Sequence, residues 1–393
     1  MLQLEKAQAV LDSVSFPEAS QETVPLNEAL GRVLAAELTA DGESPPFDKA
    51  AMDGFAVSSD DHSTQFVVIE TIAAGDVPKK RPAHGECSKI MTGAMMPGGT
   101  NKVVRVEYTQ EHEGTMVLVQ PEPYENVIGK GENMRPGDVI LSRRRLTPKD
   151  IGIIASLGLA SVAVAVRPRI GIITTGSEIV DPGEELEPGA IYNSNGPQLE
   201  AQIHEAGGIP VRYGIVPDDP GALEKAVIRG MEESDILLLS GGVSMGEYDY
   251  VPEILEKAGL EIGFHKLAVK PGRPTLFGAH SRGGRPGYVF GLPGNPVSTF
   301  VIFEFLVRGF LSRMMGIEYI PRTFPGALGE NFKRKDAERT EFVPVRLDKN
   351  TAYPLRYGGS SHLNALGAAD GFLRIDSGIE TIEKGEIVVI RLV

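Results

Sequence analysis

Between about residues 162 and 315 the chain alternates short apolar runs with amphipathic stretches, and few folds accommodate that alternation. Each apolar run must find strand partners while the following helix crosses back over the sheet, so the pattern specifies a parallel-rich sheet wrapped by helices. Residues 170–174, 209–215, 236–239 and 288–290 read as strands, and the third is unbroken apolar, as expected where helices cover both faces. One helix follows Asn195-Gly196-Pro197, carries Leu199, Ile203 and Ala206 on one side, and stops at Gly207-Gly208. Another is opened by Asp219-Pro220, an acceptor cap followed by proline in the first helical position.

At 393 residues the chain exceeds the size at which one core stops growing, so several domains are expected around this α/β segment. Residues 1–38 read as two amphipathic helices, the second starting near Leu26 with Asn27 as its cap. Residues 39–138 break into short alternating runs separated by glycine and proline, which is β-rich texture. A helical pattern returns at residues 148–159, and from about residue 317 the remainder reads as a small all-β domain.

The formal charge of −14, from 53 acidic against 39 basic residues, opposes nonspecific binding to nucleic acid or an anionic membrane, so any anionic ligand needs a local basic pocket. No window of 18 uninterrupted apolar residues occurs, and the single Cys87 excludes an intramolecular disulfide and suits a reducing compartment. The expectation is a soluble, cytoplasmic protein. The seven histidines show no zinc-ligand spacing, so no His/Cys metal site is expected.

In an open α/β sheet, ligands collect at the carboxyl ends of the strands, where helix N-termini present free amides. Three loops follow strands in this way: Thr174-Thr175-Gly176-Ser177-Glu178, Ser240-Gly241-Gly242-Val243-Ser244 and Gly291-Leu292-Pro293-Gly294-Asn295-Pro296. Glycine permits close backbone approach, and Ser, Thr and Asn offer hydrogen bonds to phosphate. Singly each is an ordinary turn; together they favour a phosphate-bearing ligand. None has the Walker or GxGxxG spacing, which counts against a generic ATPase or dehydrogenase.

The run from His265 to Pro274 is the densest cationic feature near those loops. If residues 266–270 are extended, Lys266 and Lys270 share a face and can cradle an oxyanion; otherwise they are solvated lysines flanking a turn. Acids in the same loops are Glu178, Asp181, Asp218, Asp219, Glu247 and Asp249. Mg²⁺ takes one or two carboxylates and completes its shell with water and phosphate, so these acids suit it. Asp219 fits equally as a helix cap, and Glu247 or Asp249 as caps of a helix from Val251.

Five strings carry a resemblance: residues 45–57 (PPFDKAAMDGFAV), 90–94 (IMTGA), 240–250 (SGGVSMGEYDY), 266–274 (KLAVKPGRP) and 291–298 (GLPGNPVS). In order and spacing over nearly the whole chain, they resemble the MoeA family of molybdopterin molybdenumtransferases, which includes the E domain of gephyrin. The resemblance implies an elongated helical domain (20–38 and 139–168), a β-rich domain (39–138), a MogA-like α/β domain (1–19 and 169–316) and a C-terminal β-barrel (317–393). It implies insertion of molybdate into adenylated molybdopterin with Mg²⁺-dependent release of AMP. It also implies a homodimer with a shared active site, Asp53 and Thr92 acting across the interface, and a molybdopterin adenylyltransferase and molybdoenzyme maturation factors as candidate partners.

Residue by residue, the resemblance makes Glu178, Asp218, Asp219 and Asp249 the metal acids, and Lys266 and Lys270 the catalytic cations alongside Asp53, Thr92, Glu178 and Asp249. Thr175, Gly176, Ser177, Ser240, Gly241, Gly242, Ser244, Pro293, Gly294, Asn295 and Pro296 form the substrate loops. Pro271, Ser298, Arg339 and a serine of Ser360-Ser361 form the oxyanion pocket, where Lys270 and Arg339 would give molybdate charge-assisted hydrogen bonds. The chain departs from many relatives at Ile128-Gly129-Lys130-Gly131-Glu132-Asn133, which lacks arginines and one carboxylate found there. Two alternatives stay open: a non-catalytic molybdopterin-binding scaffold of the gephyrin type, and insertion of tungstate in place of molybdate.

Overall fold

The computed structural model describes residues 1–242, 251–282, 284–355 and 362–393. Two compact units emerge: Met1–Ala35 with Arg144–Thr147 and Ser161–Val393, and Ala36–Arg143 with Pro148–Ala160.

The larger unit is built on helix α1 (Leu4–Asp12), strand β1 (Arg169–Thr175), α2 (Asn195–Ala206), β2 (Ile209–Val216), α3 (Pro220–Glu233), β3 (Ile236–Ser240), α4 (Val251–Lys257), β4 (Glu261–His265), β5 (Leu276–Arg282), β6 (Arg285–Leu292) and α5 (Pro296–Ile302). The sheet order is β2-β1-β3-β6-β5-β4. The first four strands run parallel, while β5 and β4 add an antiparallel edge. Residue alternation sorts the central strands between two cores. Ile236 and Leu238 of β3 join Ile170, Ile172 and Phe290 on one face. Leu237 and Leu239 join Ile173 and Val289 on the other. Each fully buried leucine contributes roughly 1.5–3 kcal/mol. The expected punctuation holds: Asp219 accepts from the Ala222 amide at 2.7 Å with Pro220 opening α3, and α2 ends at Gly207.

The same unit carries a closed five-stranded barrel. Thr340–Asp348 pairs with both Thr351–Pro354 and Gly371–Ile375, and Thr323–Leu328 and Ile387–Leu392 complete the ring. The two-residue strand Val269–Lys270 adds parallel to the barrel at Thr340 and Glu341, so the chain leaving β4 reaches the barrel directly.

The second helix expected near Leu26 is absent. Leu26–Glu28 forms a single 3-10 turn, and Gln21–Pro25 is a strand paired with Ser161–Ala165. The amides of Gly31 and Leu34 donate to the carbonyls of Leu146 and Arg144, so partners distant in sequence take the bonds a helix would have made internally.

In the smaller unit, Gly54–Val57 lies between Lys102–Arg105 and Glu86–Ile90 in a six-stranded sheet completed by Gln65–Ile72, Thr115–Leu118 and Thr109–His112. Phe55 and Val57 pack with Phe66, Cys87 and Met116 on one side, and Ala56 packs with Ile72 and Ile90 on the other. Burial pushes the Cys87 thiol up to about 12, with Glu111 adding to the shift, so it behaves as an inert small hydrophobe. Among the described residues no helix is long and apolar enough to cross a membrane.

Candidate active site

The carboxyl ends of β1, β3 and β6 open into a cleft of about 930 Å³. Its walls include Thr175, Gly176, Glu178 and Asp218 from the β1 and β2 ends, and Ser240, Gly241 and Gly242 after β3. Lys270, Pro271 and Arg273 come from the segment that joins the barrel, Pro293 to Pro296 and Ser298 from the loop after β6, and Arg339 from the barrel. The described parts of the three glycine-bearing loops singled out in the sequence therefore meet in one place.

The loops are fixed by specific contacts. Gly241 has φ +101, and a Cβ there would lie 2.6 Å from both the Thr175 carbonyl and its Oγ1, so only glycine lets the β3 loop rest on the β1 loop. Gly176, at φ +150, leaves the space into which the Glu178 carboxylate folds; a Cβ would sit 2.8 Å from Glu178 Oε2. Asp218 accepts from the Ser177 amide at 3.3 Å and donates its own amide to Ser177 Oγ at 3.2 Å, tying the ends of β1 and β2.

Two residues not anticipated as site residues hold this arrangement together. Asn195, at the start of α2 and buried, donates through Nδ2 to Ser240 Oγ at 2.8 Å and to the Gly294 carbonyl at 2.7 Å, bridging the β3 and β6 loops. Asn193 donates to Thr174 Oγ1 and to Asp181 Oδ1, each at 3.2 Å, while its own oxygen accepts from the Gly196 amide at 2.9 Å. The signal was the run Tyr192-Asn193-Ser194-Asn195 before a helix, which reads as ordinary capping until the neighbouring loops are placed. Thr175 Oγ1 and Asn195 Oδ1 are buried and find no hydrogen-bond partner among the described residues, as expected of groups left for ligand or water.

Two of the cleft's cations are paired with acids. Lys270 Nζ lies 2.8 Å from Glu341 Oε1. Arg339 binds Asp336 Oδ2 through Nη2 at 2.8 Å and Nε at 3.3 Å. The Glu338 amide, and then the Arg339 guanidinium, hold the Asp336 carboxyl below the usual carboxylate range.

Some expected residues lie elsewhere. Lys266 does not line the cleft: at φ +70 it interrupts the extension needed to align it with Lys270, and its backbone instead bonds Leu2 and Thr275. Asp219 does not line it either, its carboxylate being the α3 cap. Ser177 is engaged with Asp218 beside the cleft. Ser244, Asp249, Ser360 and Ser361 fall outside the described residues. Asp53 and Thr92 belong to the smaller unit, where Asp53 Oδ1 accepts from both the Thr92 amide and its hydroxyl at 2.7 Å. Those bonds, the amide's first, hold the Asp53 carboxyl below its ordinary value. The divergent loop is anchored in the same unit: the Lys130 amide donates to Asp48 at 2.7 Å and its ammonium pairs with Glu43 at 2.7 Å.

Among the described residues no cluster of three or more His, Cys, Asp or Glu can hold a metal. Glu178 and Asp218 nevertheless give the cleft two hard carboxylates, the number Mg²⁺ uses when phosphate and water complete its shell. The donor set fits that ion.

Residues 2–158 match the family model described as "MoeA N-terminal region (domain I and II)". Residues 171–313 match "Probable molybdopterin binding domain", and residues 327–393 match "MoeA C-terminal region (domain IV)". A molybdopterin molybdenumtransferase of Staphylococcus aureus (strain N315) is 34% identical over 384 residues, covering 94% of this chain and 90% of that protein. One of Bacillus subtilis (strain 168) is 33% identical over 395 residues, covering 96% and 90%. A crystal structure of the molybdopterin biosynthesis moeA protein from Pyrococcus horikoshii OT3 superposes with a TM-score of 0.88 at 30% identity, covering 100% of both chains.

Proposed function

The chain belongs to the MoeA family, and from that premise we propose that it is a molybdopterin molybdenumtransferase, inserting molybdate into adenylated molybdopterin with release of AMP. The observation that carries the reading is the cleft itself, which gathers three phosphate-type loops, two carboxylates and the cations Lys270, Arg273 and Arg339 in a chain whose net charge is −14. In an acidic protein, Lys270, Arg273 and Arg339 beside the strand-end loops give an anion local charge partners there.

In this reading, backbone amides of the loops after β3 and β6 hold the nucleotide phosphate, with Asn195 keeping the two loops at their spacing. Lys270 and Arg339 bind molybdate, the dianionic substrate, by charge-assisted hydrogen bonds, and the buried Ser298 hydroxyl orients it. Glu178 and Asp218 are the residues that would hold Mg²⁺. Its chemistry there would be Lewis-acid polarisation of a phosphoryl oxygen. Asp53 and Thr92 are supplied by the second subunit of a homodimer.

The test incubates purified protein with adenylated molybdopterin, Mg²⁺ and molybdate, and follows AMP release together with reconstitution of an apo molybdoenzyme. Both should occur and both should require molybdate. Tight binding of the pterin without AMP release would instead mark a scaffold of the gephyrin type.

A further inference from the structure

The ion pair at Lys270 is lopsided. The Glu341 side chain is 7% exposed, held in the barrel wall, whereas the Lys270 side chain is 49% exposed at the cleft. The backbone enforces the meeting, since the parallel register sets Lys270 opposite Glu341 and the neighbouring Val269 opposite Thr340. A buried carboxylate needs a partner, while an exposed lysine pays side-chain entropy to stay in one place. The fixed member of this pair is therefore the acid, and the lysine is what it fixes.

We propose that Glu341 is the positioning residue for Lys270: it holds the ammonium at one point of the cleft wall and offsets its charge until an oxyanion arrives. This rests on the reading of Lys270 as a molybdate-binding cation. Two effects of opposite sign follow. A pre-placed ammonium need not be ordered during the reaction, which raises turnover. A neutralised one attracts free anions less, which weakens resting affinity for molybdate. Removing the carboxylate should thus lower kcat without raising the molybdate requirement, a split that general loosening of the barrel would not produce.

The experiment compares Glu341→Gln, Lys270→Met and the double variant, measuring molybdate-dependent AMP release and, separately, molybdate binding by calorimetry. Glu341→Gln should lose about ten- to a hundredfold in kcat, with half-saturation by molybdate unchanged or lower. Glu341→Asp, which keeps the charge, should recover part of the loss and serves if the Gln variant folds poorly. In the Lys270→Met background, Glu341→Gln should change kcat by less than about twofold, because its effect passes through the lysine. An equal loss in both backgrounds, or a raised molybdate requirement at unchanged kcat, would overturn the proposal. If Lys270→Met alone behaves as the unaltered protein, the assignment of Lys270 to molybdate fails, whatever Glu341 does.

Discussion

Replacing Asn195 with alanine tests how the cleft is assembled. The side chain contributes two buried hydrogen bonds, at 2.8 Å to Ser240 Oγ and 2.7 Å to the Gly294 carbonyl. Each buried bond is worth about 1 kcal/mol net, and a carbonyl left unpaired adds to the loss, so destabilisation of about 2–3 kcal/mol is expected. The catalytic effect should be larger than that figure suggests. The β3 and β6 loops would be free to part, and a displacement of about 1 Å in a positioning element costs about a hundredfold in rate. Asn195→Asp keeps the shape but turns the donor toward the Gly294 carbonyl into an acceptor. Burial and that carbonyl would push the new carboxyl above its ordinary range, so the variant binds more protons folded than unfolded and loses stability as pH rises. Urea unfolding at two pH values and steady-state AMP release measure both effects. If Asn195→Ala keeps the original urea midpoint and turnover, the bridge has no role in holding the loops, and the reasoning fails.

Other positions give sharper, smaller tests. Gly241→Ala should reduce turnover at least tenfold, because the new Cβ meets Thr175 at 2.6 Å and the left-handed backbone alone costs about 1–2 kcal/mol; Gly309→Ala, in a helix with nothing within 4 Å, is the control that should be tolerated, and equal behaviour of the two would refute the packing argument. Thr92→Val removes one of the two bonds to Asp53, so its carboxyl should move up toward the ordinary aspartate value in an NMR titration; an unmoved titration would deny the hydroxyl any part. Asp61 is raised by burial but carried down to about 2 by the Gly85 amide and by Ser63. Its folded value is depressed, so its contribution is present above the unfolded value and fades as pH falls from about 4 toward 2. Asp61→Asn should flatten that part of the acid-unfolding curve, and an unaltered curve contradicts the assignment.

The middle of the sheet was legible because a strand buried on both faces must be apolar throughout: Ile236 to Leu239 has no other reading once flanked by helices. The antiparallel edge was not. Gly263, His265, Gly278 and His280 break the apolar pattern of β4 and β5, and a glycine in a strand reads as a turn. The segment after Leu26 misled for the opposite reason. Its spacing suits a helix, but its backbone bonds are claimed by residues 144–146, which no local pattern reveals. The site divided along the same line. Strand-end glycines announce themselves by position, so the three loops were found. Glu341 could not be, because its pairing with Lys270 exists only through the register between the barrel and a two-residue strand far earlier in the chain. Lys266 looked equivalent to Lys270 in sequence and was separated from it by one left-handed residue, itself.

The most direct measurement is amide hydrogen exchange during turnover, with adenylated molybdopterin, Mg²⁺ and molybdate present. Protection is expected in residues 174–178, 240–242, 269–274 and 293–298, the segments that wall the cleft. AMP release accompanied by unchanged exchange in those segments, with protection confined to the groove lined by Leu4, Gln8, Phe305, Phe372 and Val389, would place the reaction outside the cleft.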